Sequence, residues 1–80
     1  MPYPTEHAAR IKNPSLFENE SFRRKNIVPG IDVITAVSKS TGKREIQAYR
    51  FKVAQWTAME AKQWLNKHKI NYIRFEPAKK

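Results

Sequence analysis

Glu6, His7 and Arg10 form the densest group of residues able to do acid–base chemistry. A histidine beside a carboxylate can act as a general base or bind a metal. Neighbours in sequence do not face each other on a helix, however, and Glu6 and His7 are neighbours. The second histidine, His68, falls at the end of a helical pattern, where capping or packing is the usual role. Two histidines and no cysteine make a poor ligand set for a metal. These residues predict no catalytic site, no metal and no cofactor, and the chain is not expected to be an enzyme.

Ser38-Lys39-Ser40-Thr41-Gly42-Lys43-Arg44 invites comparison with a phosphate-binding loop. Such a loop needs two glycines at fixed spacing and a helix directly after its lysine. Here one glycine precedes Lys43 and a strand pattern follows, so the segment reads as a solvated hairpin turn. Its basic residues can still meet phosphate as point charges. Arg23-Arg24-Lys25 is a compact basic run, and Arg50 and Lys52 alternate along a strand pattern, so they share a face. Arg23, Arg24, Lys25, Lys43, Arg44, Arg50 and Lys52 are therefore the candidate contacts to a phosphate backbone. Contacts of that kind give affinity without reading sequence. The competing explanation is that the basic stems cover apolar sheet surface while their heads stay in water.

Sixteen Lys and Arg stand against seven Asp and Glu, a formal charge of +9. That balance favours a polyanionic partner, either nucleic acid or an acidic protein surface. The pattern contains no helix-turn-helix, no KH glycine loop and no RRM aromatic signature. The absence of cysteine excludes disulfides and suits a reducing cytoplasm. No apolar run nears the ~18 residues of a membrane span, and the N-terminus lacks a signal-peptide core. At 80 residues the chain is one domain with one modest core.

The elements that must hold these residues follow from the apolar pattern. Trp56 to His68 reads as the one long helix. Thr57 and Glu60 have capping-box spacing, and Ala58, Ala61, Leu65 and His68 fall on one face with Trp64 beside them. Ile31–Val37, Glu45–Val53 and Asn71–Phe75 read as strands, the first two joined by the polar hairpin. A right-handed crossover sets the third strand parallel to the second. The expected fold is a small α+β domain, a ββαβ core over 31–76 whose three-stranded sheet has the order 2-1-3 and packs on one helix. Residues 1–30 are expected to be an irregular arm. Prolines keep its start extended, Thr5–Lys12 forms a short helix, and Leu16, Phe17 and Phe22 pin it to the core. Pro29-Gly30 is a turn signal, and 77–80 is a basic tail.

Several blocks together resemble a small uncharacterised module of tailed-phage and prophage proteins, sometimes found next to head-maturation protease domains. The blocks are Glu6-His7-Ala8-Ala9-Arg10-Ile11-Lys12-Asn13-Pro14, Phe17, Phe22-Arg23-Arg24, Gly30-Ile31-Asp32-Val33-Ile34, Gln47-Ala48-Tyr49-Arg50-Phe51 and Ala61-Lys62-Gln63-Trp64-Leu65. The resemblance covers nearly the whole chain. It implies a phage or prophage origin, and hence the cytoplasm of an infected or lysogenic bacterium. It also makes the polar trio Glu6, His7 and Arg10 a feature of the pattern and a candidate binding site. The expected function is non-sequence-specific nucleic-acid binding in phage DNA metabolism or host takeover. The alternative is a protein-binding accessory, or an inhibitor of a host or phage factor.

Overall fold

Glu6–Arg10 is a strand (β1), where the sequence predicts a helical turn over Thr5–Lys12. A computed structural model of the chain describes residues 5–78; the expected extended start at Met1–Pro4 and the tail lysines Lys79 and Lys80 lie outside them. After β1 come a short 3-10 turn (Pro14–Leu16), β2 (Arg23–Val28), β3 (Ile31–Val37), β4 (Arg44–Lys52), α1 (Ala58–Lys67) and β5 (Arg74–Glu76). The sheet has five strands, not three, in the order β2-β3-β4-β1-β5, and every neighbouring pair is antiparallel. This corrects both the ββαβ core and the irregular arm. The N-terminal segment supplies an internal strand and an edge strand.

The physical reason differs for each strand. β1 lies between β4 and β5, and Ala8 and Ala9 are both buried, on opposite faces. Small side chains suit a strand covered on both sides, and strand pairing overrides the helix propensity of alanine. β2 is an edge strand whose first five residues are exposed. With no buried face it carries no apolar alternation, and its charges discourage edge-to-edge aggregation. Pro29-Gly30 closes the β2–β3 hairpin, with Gly30 at φ 78°. A Cβ there would lie 2.6 Å from Gln55 Oε1 and 2.8 Å from Trp56 Nε1, so glycine is required twice over. β5 pairs with β1 rather than β3, and so runs parallel to β4 with β1 between them.

The helix begins where its sequence says. Thr57 Oγ1 accepts from the Glu60 N–H at 3.1 Å, and Glu60 Oε1 accepts from the Thr57 N–H at 3.0 Å. Ala61 and Leu65 are fully buried against Ala9, Ile31, Val33, Tyr49 and Phe51. Trp64 meets both Phe51 and Tyr49 edge-on, at 5.8 and 5.7 Å between ring centres. His68 caps the helix and lies against Trp64, exposed. The chain then turns through Lys69 at φ 55°, with Lys69 N–H donating to Asn66 O and Ile70 N–H to Leu65 O. This is a Schellman closure, and Ile70 packs on the same core as Leu65.

The other face of the sheet carries a smaller cover. Phe17 is fully buried, bridges to Ser38 and meets Phe22 edge-on at 6.1 Å. Leu16, expected to anchor beside it, is 53% exposed. Ser21 Oγ accepts from Val37 N–H, and the Ser21 carbonyl accepts from Arg44 Nη1, so this segment is tied to β3 and β4.

Candidate nucleic-acid interface

Alternation along the strands sorts the candidate residues onto two faces. On β1, His7 points to the helix side while Glu6 and Arg10 point to the open side, so the expected trio is divided. His7 is buried. Its Nδ1 accepts from the Ala78 N–H at 2.8 Å, so Nε2 carries the proton and donates to the Trp56 carbonyl at 3.0 Å. The ring lies over Phe75, 6.1 Å away. This is a neutral imidazole stitching the segment after β5 to the start of the helix.

On the open face, Arg24 reaches over β3 and β4 to Glu6, and its Nε donates to Asp32 at 2.6 Å. Arg50 Nη1 lies 3.6 Å from the other Glu6 oxygen. Hydrogen bonding to Glu6, then to Asp32, raises the Arg24 pKa further, against the cost of desolvation. Asn26 holds the second oxygen of Asp32 at 3.0 Å; its hydrogen bond, then that of Arg24, holds the Asp32 carboxyl below the ordinary range. Glu76 is also buried here, with Arg10 and Arg74 each 3.9 Å away. Lys52 shares this face with Arg50 and Glu6.

The remaining four candidates lie on the helix side of the sheet or in the hairpin beyond it. Arg23 and Lys25 point the same way from the β2 edge, opposite Thr35 and Val33, and both are exposed. Arg44 Nη1 donates to Thr35 Oγ1 at 3.1 Å, which brings Arg44 toward Arg23. Lys43 is exposed at the end of the hairpin. No carboxylate lies within ion-pair distance of Arg23, Lys25, Lys43 or Arg44 among the described residues; Glu45, whose carboxyl is held low chiefly by Lys12, also feels the charge of Lys43.

No family model matches this chain, and no curated protein or solved structure does either.

The structure thus divides the seven candidate phosphate contacts between two surfaces. Arg24, Arg50 and Lys52 sit among carboxylates on the open face. Arg23 and Lys25 on β2, and Lys43 and Arg44 where the hairpin enters β4, lie outside that network. The residues that sequence reading passed over are the acids, Asp32 and Glu76. A carboxylate inside the most apolar strand was the available signal for Asp32, because a half-buried charge needs a partner. No group of three His, Asp or Glu side chains is arranged to hold a metal among the described residues. Nor is any helix there long and apolar enough to cross a membrane.

Proposed function

We propose that this protein binds the phosphate backbone of nucleic acid through the patch of Arg23, Lys25, Lys43 and Arg44. The observation that carries this reading is that four exposed cations, Arg23 and Lys25 on β2 and Lys43 and Arg44 where the hairpin enters β4, have no ion-paired carboxylate among the described residues. Arginine can grip a phosphate with two parallel hydrogen bonds, and lysine adds a mobile point charge. Arg24 serves as the clamp that holds Glu6 and Asp32 in place, and does not contact phosphate. A phage or prophage origin would set such a module in phage DNA metabolism or host takeover.

Neutralising Arg23, Lys25 and Lys43 together tests this. Binding of labelled DNA or RNA should weaken, and the slope of log K against log salt should fall by up to ~3 units, one per lost phosphate contact. The melting midpoint should move little, because exposed charges contribute little to stability. Unchanged affinity would remove the patch from the interface. A second reading draws on β2 being an open sheet edge: an acidic extended segment of a protein could add to it as a further strand. A complex with an acidic peptide, together with no binding to nucleic acid at low salt, would favour that reading.

A further inference from the structure

The open face holds a depression of about 280 Å3 whose chemistry differs from that of the patch. Its floor is small and apolar, from Ala8, Ala48 and Ile34, and Phe22 stands at its side. Phe22 is 37% exposed, yet it is held edge-on by the fully buried Phe17. Arg10, Arg50 and the buried Glu76 give the lining its charges, and Pro14 and Gln47 complete it.

We propose that this depression seats one unpaired base of a single-stranded nucleic acid, stacked on Phe22. The inference rests on the phosphate-binding reading above and names the form of nucleic acid that the same surface takes. Shape and polarity decide what enters. The apolar lining suits a flat ring rather than a phosphate, and the Glu76 carboxylate can accept from the amino group of a base. The apolar floor and the ring match the faces of a base, which every base offers whatever its sequence. The positive rim, with Arg10 and the exposed Arg74 beside Glu76, attracts the flanking phosphates. Phe22 and Arg23 are consecutive and point to opposite faces at the β2 edge. A strand crossing that edge therefore meets the patch with its backbone and the depression with a base. A paired base cannot enter, so duplex reaches only the patch.

The test measures binding of fluorescent ten-nucleotide single strands and a ten-pair duplex to the full chain at several salt concentrations. The unmutated protein should prefer the single strand. Phe22→Leu should lower single-strand affinity about tenfold at an unchanged salt slope and leave duplex binding alone, as loss of one stacked base requires. Phe22→Tyr should retain the affinity, which separates stacking from a folding defect. Equal affinity for single strand and duplex, or a Phe22→Leu loss shared by both, would overturn this inference while leaving the phosphate reading intact. Binding to neither would overturn both.

Discussion

Asp32 lies in the most apolar strand of the sheet and is held by two donors, Asn26 and Arg24. Those donors keep its carboxyl ionised below the pH at which an ordinary aspartate takes a proton. A carboxyl whose folded pKa is depressed contributes stability that is fully present above its unfolded value, about 3.9, and is lost as pH falls through the folded value. Asp32→Asn should therefore cost about 1 kcal/mol at neutral pH. The difference from the unmutated protein should shrink below about pH 4, and urea melts across pH 3 to 7 would show it. A gap that persists unchanged into acid would mean that the carboxylate charge is not what matters there. The partners of Asp32 were invisible in the sequence because Arg24 reads as one member of a basic run. Nothing local tells a reader that Arg24 folds back over two strands while Arg23 and Lys25 do not. The division between them comes from strand alternation, and β2 itself could not be read.

At the scale of elements, α1 and β3 were legible because each carries its own signal. The Thr57–Glu60 box fixed where the helix starts, and the apolar alternation of Ile31–Val37 fixed the strand. β1 was not legible because Ala8-Ala9 favours a helix locally and becomes a strand only through β4 and β5. β2 has no buried face to mark it. One local choice in the helix is suboptimal: Lys69 occupies the left-handed position of the Schellman closure, where glycine carries no steric penalty. Lys69→Gly should raise stability by about 1 kcal/mol, seen as a higher melting midpoint. A lower midpoint would indicate that the Lys69 side chain makes a contribution outweighing its backbone strain.

For the molecule as a whole, the N-terminal segment is part of the sheet, and that changes what truncation does. Deleting residues 1–25 removes β1, the beginning of β2, Phe17 and the His7 link to Ala78. β4 and β5 then have nothing between them, and the helix-side core loses Ala9. The truncated chain should fail to give a cooperative melt by circular dichroism and should aggregate on size exclusion. A monomer with the original melting curve would show that the hairpin, helix and last strand fold without β1. The position of β1 also sets a timetable for biosynthesis. β1 leaves the ribosome before either of its partners, residues 48–52 and then 74–76, has been made. Until Glu76 emerges, one edge of β1 waits unpaired. The sheet can close only after β5 has been made; contacts so far apart in sequence slow folding, and until they form the unpaired edge of β1 is open to wrong pairing.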